Sequence, residues 1–167
     1  FSPADNTVDP LAISLPTVLD QASAVWDTVN NVAFVFGGYD GASYLDGIIK
    51  FNPNSLAETL LIKLPTPRAR AVSVWDPDNN VAYIFGGFNS GTYIDEIVKF
   101  IGESQSTLAL SVHLPTGRYF CAAVWDTVNK CAYIFGGLGG GVPLNDILKF
   151  NPTQGTITKL SSSLPSG

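Results

Sequence analysis

The 167-residue sequence contains no methionine, one histidine and two cysteines, and charged side chains make up only 14% of it. Each shortage excludes something. With no methionine even at position 1, the chain reads as a processed product, an excised piece or part of a longer protein. A single histidine, His113, leaves no catalytic triad. It also leaves no zinc set beyond His113, Cys121, Cys131 and scattered carboxylates, which lack a recognisable ligand spacing. Soluble proteins usually carry about a quarter charged residues, so the low charge here implies strands buried on both faces. The six lysines and three arginines are scattered singly and the net charge is −5, so no basic stripe exists and no nucleic-acid partner is expected. Apolar runs are short and end in glycine pairs, well under the ~20 residues of a membrane span, so no membrane partner is expected either. Phe1 to Pro10 has neither the positive nor the apolar region of a signal peptide. Glycosylation acceptors are missing too, because Asn151-Pro152-Thr153 carries the forbidden proline. Localisation stays open between cytoplasmic and secreted.

The two cysteines lie across an expected hairpin. With the turn at Asp126 to Asn129, Trp125 faces Lys130 and Val124 faces Cys131. Cys121 then points to the opposite face, and a disulfide would need a bulge or another register. Two free, buried thiols are expected, with no disulfide and no redox role.

What the sequence does contain is a repeat. Leu-Pro-Thr starts at Leu15, Leu64 and Leu114, and Leu-Pro-Ser at Leu164, giving spacings of 49, 50 and 50. Trp26, Trp75 and Trp125 keep that phase, as do the pairs Gly37-Gly38, Gly86-Gly87 and Gly136-Gly137. Phe1-Ser2-Pro3, Phe51-Asn52-Pro53 and Phe150-Asn151-Pro152 mark one point of the repeat, with Phe100-Ile101-Gly102 as its degenerate copy. The chain thus starts within one repeat and stops at the start of another.

Each repeat reads as four strands. In the second copy these are Arg70 to Trp75, Val81 to Phe85, Asp95 to Ile101 and Thr107 to Val112. A turn at Asp76-Pro77-Asp78-Asn79 uses the residues turns favour. The run Val81 to Phe85 is continuously apolar, as a strand buried on both faces should be. Glycine and proline recur too often for helix, and no segment holds a 3.6-residue apolar period. Four short antiparallel strands per repeat of about 50 residues suit a propeller blade.

The triplets Phe36-Gly37-Gly38, Phe85-Gly86-Gly87 and Phe135-Gly136-Gly137 are followed about eight residues later by Leu45-Asp46, Ile94-Asp95 and Asn145-Asp146. Arg68 and Arg118 precede the first strands of their repeats. This pattern resembles the kelch repeat of β-propeller proteins over nearly the whole chain. The resemblance implies an all-β propeller of kelch type, with three four-stranded antiparallel blades and an extra N-terminal strand. That is a half-ring, or a fragment of a ring of six or seven blades. The division is 1–15 as the outer strand of a preceding blade (Thr7 to Ser14), 16–64, 65–114 and 115–163 as three blades, and 164–167 as the start of a further repeat. Two departures stand out. The kelch tryptophan usually lies in the fourth strand, whereas here tryptophans end the first strand. In the first repeat, Leu19 stands where the others have Arg68 and Arg118. Three blades leave an apolar face at each end. The expectation is therefore a homodimer closing a six-bladed ring, or membership of a longer chain.

Function is sought on the face that carries the loops between second and third strands and the links between blades. Its candidate ligand-binding residues are Tyr39, Asp40, Tyr44, Phe88, Asn89, Tyr93, Arg68, Arg118 and Tyr119: exposed aromatics and polar tips on a rigid frame. Against that stands a purely structural reading, in which Tyr44 and Tyr93 pack on neighbouring blades and the arginines cap carbonyls. Asp27, Asp76 and Asp126 open turns and read as caps. Asp46, Asp95 and Asp146 read as acceptors for backbone N–H groups; standing one per blade, they lack the clustered oxygens of a calcium site. Gly139-Gly140-Gly141 lacks the Lys-Ser/Thr and the helix of a phosphate loop. His113 aligns with Ser14 and Lys63 as an exposed strand-edge residue. The copper chemistry of some kelch-type propellers needs tyrosine and histidine ligands that one histidine cannot supply. The reading is a non-enzymatic module, with no cofactor, metal or catalytic residue, that binds a protein or peptide through its loops. A lectin-like, glycan-binding propeller is the alternative, and a fragment of an enzyme with catalytic residues elsewhere is the next.

Overall fold

The computed structural model describes residues 14–55 and 57–165. Most of the expected N-terminal strand, Thr7 to Ser14, lies outside them. The described residues form no helix, and their main strands group into three antiparallel four-stranded sheets. The first sheet holds β1 (Ser23–Asp27), β2 (Val32–Phe36), β3 (Gly47–Phe51) and β4 (Ala57–Lys63), paired in chain order. The second holds β5 (Val72–Asp76) and β6 (Val81–Phe85), then, after a small hairpin of β7 (Phe88–Asn89) and β8 (Thr92–Tyr93), β9 (Glu96–Ile101) and β10 (Ser106–His113). The third repeats the plan with β11 (Ala122–Asp126), β12 (Cys131–Phe135), the small hairpin β13 (Leu138–Gly139) and β14 (Val142–Pro143), β15 (Asp146–Asn151) and β16 (Thr156–Ser163).

First strands adjoin one another, with β5 between β1 and β11, so the sheets fan out from an axis lined by first strands. Two apolar clusters fill the seams. Val25, Phe34, Phe36 and Ile48 meet Trp75, Ala82, Ile84 and Phe100, and Val74, Tyr83, Phe85 and Ile97 meet Ala132, Ile134, Leu148 and Phe150. The alternation within β6 explains its unbroken apolar run: Ala82 and Ile84 serve one seam, Val81, Tyr83 and Phe85 the other. The tryptophans that end β5 and β11 seal the same seams. Trp75 stacks on Phe34 at 6.2 Å and Trp125 on Tyr83 at 5.8 Å.

The glycine pairs close the junctions. Gly37 and Gly86 have φ of 60° and 63°, and a Cβ on either would lie 2.3 Å from the carbonyl oxygen of Arg68 or Arg118 on the next link. That close approach lets Gly38 N–H donate to the Arg68 carbonyl and Gly87 N–H to that of Arg118, each at 2.8 Å.

Three local expectations change. The hairpins pair Asp27 with Val32, Asp76 with Val81 and Asp126 with Cys131, so Val124 faces Tyr133 rather than Cys131. The aspartate stays in the ladder because its carboxylate reaches forward, accepting from the N–H groups two and three residues on and from an asparagine amide. Asn31, Asn80 and Lys130 close these turns at φ of 52–55°. Second, β5 begins at Val72 rather than Arg70, because Arg70 has φ of 58°. Third, Asp46, Asp95 and Asp146 are not one series of N–H acceptors. The carbonyls of Asp46, Asp95 and Asn145 each accept from the leucine that opens the next link, while those of Gly47, Glu96 and Asp146 each accept from the first glycine of the pair. Asp146 is therefore the counterpart of Glu96 and Gly47. The side chains of Asp46 and Asp95 pair instead with Lys63 and His113.

Candidate functional site

On the loop face, each link between sheets runs beside the hairpin that follows a glycine pair. Asp20 bridges to Tyr39, Ala69 to Phe88 and Tyr119 to Leu138. The sequence places an aromatic residue at both ends of the first two hairpins, and the fold brings them into one row. Tyr39 lies 5.1 Å from Tyr44, Tyr44 5.8 Å from Phe88, Phe88 5.6 Å from Tyr93, and Tyr119 within 5.1 and 5.4 Å of Phe88 and Tyr93 (ring centroids). Phe120 extends the row at 4.9 Å from Tyr119, with 63% of its surface exposed. In the third sheet the loop is Leu138 to Pro143, without aromatics, and the row stops there.

Arg70 sits over this row. Its guanidinium carbon is 5.7, 5.4 and 4.9 Å from the ring centres of Phe88, Tyr119 and Phe120, a geometry in which the positive charge faces the rings. Its Nε donates to Gln21 Oε1 at 2.5 Å, and Gln21 in turn donates to Asp20 at 2.6 Å. Arg70 has no carboxylate partner among the described residues. Gln21, Arg70 and Phe120 occupy the same point of successive repeats, all at φ of 56–58°. Their backbones step around the axis: Arg70 N–H donates to the Gln21 carbonyl and Phe120 N–H to that of Arg70. Left-handed backbone at a ring as large as Phe120 is uncommon and is maintained here by these bonds. Together with Ala22, Ala71 and Cys121, these residues line a depression of about 320 Å³ at the mouth of the axis.

Of the residues singled out in the sequence, Tyr39, Tyr44, Phe88, Tyr93 and Tyr119 come together. Asn89 is half-buried in the β7–β8 hairpin, paired with Thr92. Asp40 caps its own loop, accepting from the N–H groups of Ala42 and Ser43, which hold its carboxyl below the usual range. Arg68 and Arg118 go elsewhere. Both are fully buried, with guanidinium groups donating to Thr66 and Gly86 carbonyls, or Thr116 and Gly136 carbonyls, and pairing with Glu96 and Asp146. Burial presses the Arg68 pKa downward against the opposing charge of Glu96. Sequence reasoning missed Arg70, Phe120 and Gln21. They stand at one fixed point of the repeat, two residues after Leu19, Arg68 and Arg118, where the side chain changes from copy to copy.

No group of three His, Cys, Asp or Glu side chains converges on a metal-sized space among the described residues. Cys121 and Cys131 are free thiols, the first half-buried and the second buried. Burial pushes Cys121 up to about 11, so it is a neutral thiol rather than a nucleophile at neutral pH.

A family model described as the KLHDC2/KLHL20/DRC7 Kelch-repeats domain matches residues 7–163. The solved structure of YjhT is similar over 90% of this chain and 53% of its own, at 16% identity and a TM-score of 0.72. The likeness concerns the fold, and the chain spans about half the length of that structure. No curated protein matches the sequence.

Proposed function

The chain belongs to the kelch-repeat family of β-propellers, and on that premise we propose that its loop face binds a protein or peptide segment. Kelch-repeat propellers are commonly protein-interaction modules. The observation that carries the reading is the row of rings from Tyr39 to Phe120 with the Arg70 guanidinium above three of them. Such a row offers large, stiff, partly exposed area at little entropic cost, as interface anchors do. Arg70 adds a cation held in place but short of an anion, suited to a carboxylate or a carbonyl of the bound segment. A lectin-like reading is the alternative, with the Asp40 carboxylate as its polar group, Oδ1 of which already accepts from the Ala42 and Ser43 N–H groups.

Selection of a displayed random-peptide library on the whole chain tests the proposal. Peptides enriched on the chain should bind about tenfold or more weakly to Arg70→Ala and to Phe120→Ala, since truncated anchors typically cost over 1 kcal/mol. Peptides that bind both variants as well as the parent would place the site away from the axial mouth.

A further inference from the structure

The face opposite the aromatic row carries the tight turns between strands, and there a cleft of about 620 Å³ lies between the first two sheets. The β1–β2 and β3–β4 turns form one wall, and Asn80 with the β9–β10 turn forms the other. Sites for small molecules run from about 300 to 1,000 Å³, so the cleft is of that size. It shares no residue with the loop-face row and does not depend on the peptide-binding reading.

The second seam shows how the same positions are otherwise filled. There Lys130, from the third sheet, crosses to pair with Asp78 of the second. At the first seam the corresponding residues are Asn80 and Val29, which cannot form an ion pair. Three more positions change with them: Phe34 stands for Tyr83, Asn52 for Ile101 and Gly102 for Pro152. The exchanges shorten the crossing side chain, remove a hydroxyl and a pyrrolidine ring, and put an amide where an isoleucine stands. Gly102 brings bare backbone to the floor of the cleft, where a Cβ would lie 3.3 Å from Phe34 Cε2 and 3.5 Å from Trp75 Cη2.

The polar groups left in the cleft are short of partners. Asn80 Oδ1 is buried and accepts no hydrogen bond among the described residues, although buried polar atoms are ordinarily paired. Glu103 has no cation within reach among the described residues. Asp27, by contrast, is occupied by its own turn, accepting from the Val29 and Asn30 N–H groups and the Asn30 amide. Lys50 stands at the rim, 3.5 Å from Glu58.

We infer that this cleft binds a neutral, hydroxyl-rich small molecule of the size of a mono- or disaccharide. A ligand of either charge would meet a like charge, since Lys50 and Glu103 both line the cleft. The other free polar groups are the amides of Asn52, Asn80 and Gln105, which present donors and acceptors together. A hydroxyl matches them because it donates and accepts at one atom: it can give its proton to Asn80 Oδ1 and accept from a neighbouring amide N–H. The edge of Phe34 at the floor suits the C–H surface of a sugar ring.

Saturation-transfer NMR on the whole chain tests this with glucose, galactose, N-acetylglucosamine, maltose and lactose, and with putrescine and citrate as charged controls. At least one saccharide should receive magnetisation and both controls should not. Val29→Asp with Asn80→Lys copies the ion pair of the second seam, so the fold should persist in circular dichroism while saccharide affinity falls at least about tenfold. Glu103→Ala changes an exposed side chain, keeps the cleft open, and should weaken binding about threefold or more. Arg70→Ala, on the opposite face, should leave saccharide binding unchanged. Transfer to no saccharide, transfer to putrescine or citrate alone, or saccharide binding indifferent to both cleft variants would each overturn the inference.

Discussion

In the second and third blades an arginine on the incoming link, Arg68 or Arg118, is buried under the glycine pair and meets an acid, Glu96 or Asp146. In the first blade the same two positions hold Leu19 and Gly47. Neither half of the ion pair survives alone there. An arginine buried without its acid would strand a charge, and an acid without the arginine would lose its partner at a half-buried site. The first blade thus lacks both partners together and still has its four paired strands. What all three junctions share is the left-handed glycine pair, with Gly37, Gly86 and Gly136 at φ of 56–63°.

The sharpest way to break the comparison is to leave one half behind. Asp146→Ala should cost about 3–5 kcal/mol in urea unfolding, because Arg118 stays fully buried with its charge uncompensated. The double change Arg118→Leu with Asp146→Gly, which copies the first blade, should recover most of that loss. A pH series adds a sign. The Arg118 hydrogen bond and charge hold the Asp146 carboxyl below its ordinary 3.8 in the folded chain. The unfolded chain therefore binds the proton more readily. The contribution is complete above the unfolded value and is lost as pH falls through the lowered folded one. In the Leu-Gly double variant that part of the acid sensitivity should be absent. A single variant as stable as the double would mean that Arg118 finds water or another acceptor.

A smaller contrast compares seam with edge. Trp75→Ala empties a buried position stacked on Phe34 and should cost about 3–5 kcal/mol, whereas Trp26→Ala, at a ring 42% exposed, should cost under about 1 kcal/mol. Equal losses would mean that the Trp26 ring contributes as much packing as the buried Trp75 ring.

The architecture was legible in the sequence because the repeat is strong. Three in-phase copies of a tryptophan, an apolar run and a glycine pair fixed the strand count, and continuous apolarity marked β6 as doubly buried. The site was legible only in part. Aromatics flanking the hairpins after Gly38 and Gly87 stood out by type, and the fold does gather Tyr39, Tyr44, Phe88, Tyr93 and Tyr119. Arg68 and Arg118 stood out equally and went inward, because a charge in a linear sequence does not show whether an acid some 28 residues on will neutralise it. Arg70 and Phe120 were hidden for another reason. Extending the first strand back to Arg70 assumed regular backbone, and the positive φ that turns this residue over the aromatic row has no signature in a side chain of that kind. The acid partners were misaligned for a similar reason. A one-residue offset between Asp95 and Asp146 is invisible until the carbonyl bonds assign each to its place.

The mildest test rebuilds the missing unit in the first blade. Gly47 has open space where a Cβ would sit, so Gly47→Asp is sterically free there. Leu19→Arg alone should destabilise by about 1 kcal/mol, and the pair Leu19→Arg with Gly47→Asp should return to within about 0.5 kcal/mol of the parent. The coupling is expected to be smaller than that of Arg118 with Asp146 because the outer face of this blade admits water, and solvent screens an ion pair. Absent coupling would show that the second and third blades build their ion pair from more than these two positions, the links Thr66-Pro67 and Thr116-Gly117 being the nearest difference from the first blade.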